Sequence, residues 1–283
     1  MPISKDKCAA FHRLHESGCF VVPNPWDAGS ARYLQSLGFK ALSTTSSTAA
    51  WADGEPDGTG RLERMLAVSR KIIDACDIPV TVDFEGGYAQ EPVDVERNVS
   101  GALDTGLAGL SIEDWSGDED KPLADLGDAL ARLKAARAAI DRSGSGAFLT
   151  ARTECFPLGH PNPLPEALRR IAAFSAAGAD CVYVPGITTE EQIRAVVKAA
   201  GKTPVTLAIT RPTGLSVSAA ARLGVRRISL GAALARAAWG EFMRAAKEIS
   251  EQGTFDALAR AVPFGELDGF FRQDQAQRKR DRG

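Results

Sequence analysis

Cysteine pairs, long apolar runs and net charge are all scarce in this chain. Its five cysteines (Cys8, Cys19, Cys76, Cys155, Cys181) stand far apart, odd in number and without a C-x-x-C pair. That pattern argues against a disulfide framework and suits a reducing cytoplasm. No apolar run approaches membrane-spanning length, and the N-terminus lacks the apolar stretch of a signal peptide. A soluble, cytoplasmic protein with no membrane partner is expected. The formal net charge is −2 with both signs interspersed, which offers no general surface to nucleic acid. The one basic cluster, Arg278-Lys279-Arg280-Asp281-Arg282, is read as a solvated end.

What is present is ordinary for a globular chain, at 44% hydrophobic and 25% charged. Short continuous apolar runs alternate with longer amphipathic stretches. The runs are Cys19–Pro23, Lys40–Ser43, Val80–Asp83, Gly109–Ile112, Ala147–Ala151, Cys181–Val184, Val205–Ala208 and Arg227–Leu230. Being continuous, they predict strands buried on both faces. Between them, Leu126, Leu130, Leu133 and Ile140 share one face of a helix over Ala124–Ile140. Arg61–Cys76, Val93–Thr105, Pro165–Ala177, Thr189–Ala199 and Val217–Leu223 fit the same role. Gly38, Gly106, Gly178 and Gly224 suit helix C-terminal caps, each followed almost at once by a strand. About eight such units predict an α/β fold, a (β/α)8 TIM barrel. A doubly wound open sheet is the alternative, but no G-x-G-x-x-G follows the first strand. The barrel domain takes in residues 1–283, with a C-terminal helical extension from about 241 that could pack on another subunit.

Barrel active sites lie where the strands end. Here those ends carry Asn24, Ser43-Thr44-Thr45, Asp83 with Glu85, Glu113-Asp114, Arg152-Thr153-Glu154, Pro185-Gly186, Thr210-Arg211 and Gly231. The segment Val80–Tyr88 ends in two acids and two glycines. In a strand side chains alternate faces, so Asp83 and Glu85 point the same way and Phe84 the other. With Glu113 they would converge on a hard divalent cation such as Mg²⁺; two solvated acids in a loop are the plainer reading. Asp114 would point away, as a cap or ion-pair partner. Arg152 supplies a fixed fork for a carboxylate or phosphonate. Ser43-Thr44-Thr45-Ser46-Ser47-Thr48 offers donors to a substrate carboxylate or oxyanion, or is a polar loop bonded to itself. These parts suit a small anionic oxo acid chelated to a metal.

The ordered series Asn24-Pro25-Trp26-Asp27-Ala28, Leu42–Ser46, Val82–Tyr88, Ser111–Asp114 and Ala151–Glu154 resembles the isocitrate lyase/phosphoenolpyruvate mutase superfamily. Ala177–Asp180 and Gly224–Ser229 continue the match, which runs from about residue 19 to about 240. The resemblance implies a (β/α)8 barrel, Mg²⁺, and a homotetramer exchanging C-terminal helices. It implies Asp83 as the principal metal-side acid, with Glu85 and Glu113 acting mostly through metal-bound water. Arg152 matches the substrate arginine, Ser43, Thr44 and Thr45 the loop holding the substrate carboxylate and carbonyl, and Asp57 the aspartate of a mobile loop.

The sequence also departs from that pattern. C–C lyases of the family carry Lys-(Lys/Arg)-Cys-Gly-His after the Glu-Asp strand, whereas this chain reads Ser116–Leu123, with neither Cys nor His. Cys155 is expected to be a packed thiol, not a substitute. Lys121 could serve as a charged lid residue, and His160 could reach the mouth or remain a loop histidine. Gly186 stands where lyases tend to place Glu, and Thr44-Thr45 where many members have glycines. The expectation is a Mg²⁺-dependent phosphonomutase- or lyase-like enzyme. It would act through an enolate on a P–C or C–C bond beside the carbonyl of a small 2-oxo acid or phosphonate. An oxo-acid-binding protein with a degenerate catalytic loop, or an oxaloacetate-type decarboxylase, is the alternative.

Overall fold

A computed structural model describes residues 5–282. Eight parallel strands follow one another: β1 (Phe20–Val22), β2 (Leu42–Ser43), β3 (Val80–Asp83), β4 (Gly109–Glu113), β5 (Phe148–Arg152), β6 (Cys181–Tyr183), β7 (Val205–Ala208) and β8 (Arg227–Ser229). Their order, β1-β8-β7-β6-β5-β4-β3-β2, brings the first and last strands together. Each falls inside or within a residue of its expected apolar run. The result is a nearly closed (β/α)8 barrel rather than an open sheet.

Closure between β1 and β2 relies on few bonds. Ser43 N donates to Pro23 O at 3.1 Å. Asn24 spans the gap: its Nδ2 donates to Thr44 O at 3.1 Å, and its Oδ1 accepts from Leu230 N at 3.1 Å. One side-chain amide thus ties the ends of β1, β2 and β8, using both its donor and its acceptor.

The helices are α1 (Lys5–Arg13), α2 (Ala28–Ser36), α3 (Ser46–Ala52), α4 (Leu62–Ala75), α5 (Pro92–Leu103), α6 (Leu126–Ser143), α7 (Pro163–Ala176), α8 (Glu190–Ala200) and α9 (Val217–Arg222), then α10 (Ala233–Gln252) and α11 (Phe264–Arg282). Two begin with reciprocal capping boxes, Asp27 with Ser30 at α2 and Thr189 with Gln192 at α8. Gly178 and Gly224 follow the ends of α7 and α9 at φ +94°, where a Cβ would be strained. The hydroxyl-rich stretch, for which a polar loop is one of two readings, becomes helical from Ser46.

At the N-terminal end of the barrel, α1 lays Phe11 edge-on to Phe148, ring centroids 5.1 Å apart, and His15 stacks on Phe148 at 4.1 Å. Phe148 is the first residue of β5, so this aromatic group stops the barrel's lower end.

The chain divides into two compact units, Met1–Leu234 and Ala235–Gly283. In the second, Glu248 accepts from Thr254 Oγ1, Asp256 N and Ala257 N at 2.6–2.8 Å, and so fixes the turn after α10. Phe242, Met243, Phe255 and Phe264 are exposed there. The backbone of the basic tail belongs to α11. Among the described residues, no helix is long and apolar enough to cross a membrane.

Candidate active site

Asp83 ends β3 and Arg152 ends β5, two strands away, and both point into the mouth. Arg152 Nη1 lies 3.3 Å from Asp83 Oδ1 and 3.4 Å from Oδ2. The Asp83 carboxylate also accepts from Ser111 Oγ at 3.2 Å and from Ser46 N at 3.3 Å. Thr44 fixes it from behind, because Asp83 N donates to Thr44 Oγ1 at 3.1 Å. That hydroxyl accepts from the backbone, and its own proton is directed to Met65 Sδ at 3.9 Å, away from substrate.

Arg152 Nε approaches Glu113 Oε2 at 3.3 Å and bonds Glu154, while Tyr183 places its ring 5.4 Å from the guanidinium. Burial works against the Arg152 charge, yet Glu154, Glu113 and Asp83 outweigh it and hold the guanidinium firmly protonated. Burial pushes the Glu113 carboxyl well above the ordinary range, opposed by Arg152. Burial likewise raises Glu154, again opposed by Arg152. The Tyr183 phenol is pushed up to about 12, chiefly by burial. Glu154 and Tyr183 have no assigned role in the sequence reading. Nothing in the order of residues shows that Glu154 turns back onto Arg152.

Glu85 departs from simple alternation. The strand ends at Asp83, and Glu85 takes φ +45° in the turn that follows. Strand geometry therefore no longer sets its direction, and the shared-face expectation does not carry past Asp83. Glu85 is 8% exposed and lines a neighbouring cleft with Gly60, Tyr88 and Trp115. A Cβ on Gly60 would collide with the Glu85 carboxylate. Burial, then the charges of Asp83 and Asp57, push Glu85 up to about 7.

The mouth opens into a cavity of about 310 Å³ lined by Ser43, Thr44, Thr45, Asp57, Asp83 and Arg152 among others. Six sequence-selected residues thus share one cavity, while Glu85 and Glu113 stand outside its lining. Asp57 comes in from the loop after α3 and accepts from Ser46 Oγ at 3.1 Å. Gly186 lines the cavity at φ +94°, and a Cβ there would lie 2.5 Å from Phe156 Cβ. A glutamate at this position is excluded by backbone conformation and by space.

The neighbouring residues have structural duties. Asp114 is 1% exposed, accepts from Glu154 N at 2.7 Å and pairs with Arg170 at 3.0 Å. Cys155 is fully buried, and burial raises its thiol. His160 Nδ1 accepts from Asn162 N at 3.2 Å, and the residue is not among those lining the cavity. The 116–123 turn is bonded to itself, with Ser116 Oγ donating to Lys121 O at 2.6 Å. Lys121 pairs with Asp125 at 2.6 Å and lines a separate surface cleft.

No group of three or more His, Cys, Asp or Glu side chains among the described residues converges closely enough to hold a metal. A chelate made entirely of protein atoms therefore does not suit this site. What is present is Asp83 at the cavity, with Glu85, Glu113 and Glu154 behind it and one guanidinium among them. An excess of carboxylate over cation, with oxygen donors only, fits a hard ion held by one direct ligand and otherwise by water.

Glu85 makes that fit pH-dependent. Its folded pKa, about 7, lies above its ordinary 4.5. Its contribution to apoprotein stability is therefore complete below pH 4.5 and lost as pH rises through 7. A cation favours the ionised form, so Mg²⁺ affinity should rise by several-fold from pH 6 to pH 8. Titration calorimetry of wild type and Glu85→Gln reads this, and a slope that persists unchanged in Glu85→Gln sinks the assignment.

The family model described as phosphoenolpyruvate phosphomutase matches residues 11–250. The fold superposes with TM-score 0.91 on a protein from Burkholderia cenocepacia J2315, solved as a candidate lyase/mutase. The two are 38% identical, with 95% of this chain and 97% of that one covered. An uncharacterized protein of Mycobacterium tuberculosis (strain ATCC 25618 / H37Rv) is 30% identical, covering 91% of this chain and 94% of its own. The oxaloacetate decarboxylase of Paraburkholderia xenovorans (strain LB400) is 32% identical over 69% of this chain and 66% of its own. The acid-and-arginine mouth thus sits in a chain related throughout its barrel to lyases and mutases: the protein belongs to the phosphoenolpyruvate phosphomutase family and is an enzyme of the PEP mutase/isocitrate lyase superfamily.

Proposed function

We propose that the enzyme makes or breaks the P–C or C–C bond beside the carbonyl of a small 2-oxo acid or phosphonate, through an enolate and with Mg²⁺ as cofactor. The observation that carries this reading is Arg152, fixed by three carboxylates at the edge of a hydroxyl-rich cavity that Asp83 also faces. One rigid cation meets the substrate's acid group, and the Asp83 carboxylate beside it can take a metal. Asp83 would hold Mg²⁺ directly, with Glu85 and Glu113 bonding its waters. The ion would supply Lewis acidity at the carbonyl oxygen. Arg152 orients the acid group, a charge-assisted contact of about 1.5–3 kcal/mol. Ser43 and Thr45 face the same volume as hydroxyl donors, and Thr44 holds Asp83 in place. Asp57 stands on a loop at the cavity, placed to move a proton on the substrate.

The family description supports the P–C branch and the Paraburkholderia relative the C–C branch. Cleavage in the manner of the isocitrate lyases is disfavoured, because the turn after β4 offers no thiol or imidazole. A homo-oligomer, a tetramer by resemblance, is part of the proposal. The apolar side chains exposed on residues 235–283 are the kind of surface a subunit contact covers, and light scattering would read the mass.

The test is NMR of the purified enzyme with Mg²⁺ and phosphonopyruvate, oxaloacetate or 2-methylisocitrate, with Asp83→Ala as blank. One substrate should turn over and the variant should fall to the rate of Mg²⁺ alone. Binding of these acids without turnover would favour an oxo-acid-binding protein, the reading that the self-bonded 116–123 turn suggests.

A further inference from the structure

Barrels of this type are usually filled by layers of branched apolar side chains. Here hydroxyls line the interior instead: Thr81, Ser111, Thr150, Thr206 and Ser229 all face the cavity. At its deep end lies Arg227, the first residue of β8, only 5% exposed. Its Nε donates to Thr206 Oγ1 at 2.8 Å and its Nη2 to Thr150 Oγ1 at 3.0 Å. The guanidinium carbon stands 5.8 Å from the Phe11 ring centroid and 5.9 Å from that of Phe148. These contacts fix the head group without neutralising it.

No ion pair forms at Arg227 among the described residues, and its buried Nη1 has no hydrogen-bond partner. The nearby titratable groups do not provide the missing charge. Burial, then the Arg227 cation, holds the His15 imidazole down at about 3, and burial keeps the Cys181 thiol protonated. A buried cation without a counter-charge is costly. An anion entering the cavity would supply the missing charge.

Thr150 and Arg152 stand two residues apart on the same face of β5. The backbone of Thr150, whose hydroxyl holds the Arg227 guanidinium, therefore lies about 6.6 Å below that of Arg152 along the strand. That depth suits a four- or five-carbon chain.

We infer that Arg227 is a second anion-binding residue of this site, and that the substrate is a dicarboxylic 2-oxo acid. Its oxo-acid end lies at Arg152 and Asp83, and its distal carboxylate reaches the Arg227 guanidinium. The inference rests on the functional reading above and narrows it. A guanidinium favours a carboxylate over neutral CO₂, so the gripped group stays in the product.

Titration calorimetry with Mg²⁺ separates the two ideas. The ligands are oxaloacetate against 2-oxobutanoate, and 2-oxoglutarate against 2-oxopentanoate; in each pair a methyl replaces the distal carboxylate. Wild type should bind at least one dicarboxylate about tenfold tighter than its partner. Arg227→Gln should abolish that preference and leave the monocarboxylate within about twofold, with Arg227→Lys recovering part of it. Thr150→Val, which removes one hydroxyl holding the guanidinium, should give a smaller loss of the same sign. These last two variants carry the test if Arg227→Gln fails to fold. A preference absent from wild type or kept in Arg227→Gln, or an equal loss for both acids of a pair, overturns the inference while the mouth reading stands. Failure of all four acids to bind wild type overturns that reading and this inference with it.

Discussion

Arg152→Lys is expected to keep the charge and lose about 10²–10³ in kcat/KM. The guanidinium meets Asp83, Glu113 and Glu154 at once while presenting a planar face to the cavity. An ammonium is one point charge on a flexible stem and cannot meet three carboxylates and a substrate together. Arg152→Met goes further, leaving three buried carboxylates without their cation. Removing one partner of a buried ion pair costs about 3–5 kcal/mol, and Glu113 and Glu154 are already raised by burial. In the variant they should take up protons. A folded-state pKa above the unfolded value gives stability that is present in acid and lost as pH rises. Arg152→Met should therefore be closest to wild type near pH 5 and furthest below it near pH 8. Steady-state kinetics and urea unfolding across pH read the two effects. A Lys variant within tenfold of wild type in kcat/KM would remove Arg152 from the substrate-binding role.

Asp114→Ala is expected to be as severe while removing nothing that faces substrate. Asp114 and Glu113 are neighbours in sequence with opposite assignments: Glu113 pairs with the site arginine, and Asp114 pairs with Arg170 under the loops. The side chains of Arg170 and Asp114 are 5% and 1% exposed. Truncating the acid leaves the buried Arg170 guanidinium with Glu166 as its one remaining carboxylate partner among the described residues, its Nη1 without an acceptor, and releases Glu154 N from its acceptor. The cost should be about 3–5 kcal/mol, a fall in melting temperature on the order of 10 °C. Activity should decline as well, because Glu154 follows Arg152 by two residues and shares its charge. Arg170→Met in the Asp114→Ala background should recover part of the stability, since it removes the buried Nη1 that has lost its acceptor. Independent, additive losses in the two single variants would show that the pair is not the cause.

Much of the barrel could be read in the sequence because its signals are local. Continuous apolar runs marked strands buried on both faces, and glycines marked helix ends. Residues at the strand ends then followed from topology alone, which is how Ser43, Asp83 and Arg152 could be named. Glu85 shows the limit. Alternation is a property of strands, and the strand stops two residues before it, where the backbone turns left-handed. Thr44 shows another, since its hydroxyl looks available in sequence and is used by Asp83 N in space. Glu154 and Tyr183 belong to Arg152 only through packing across strands. Arg227 looked like the start of an apolar run, and its significance depends on Thr150, far away in the chain. Long-range polar partnerships leave no periodicity for a sequence to display.

The aromatic group under the barrel, Phe11 and His15 of the N-terminal segment against Phe148, governs traffic. It closes the lower end of the barrel, so molecules pass only through the rim where Asp57 stands. A ligand reaching Arg227 has to enter with that end leading. The fragment seated deepest then departs last, and the rim-side fragment has to clear the way for it. If Arg227 holds one end of the substrate, this geometry orders product release, and the deep fragment is the product expected to compete with incoming substrate.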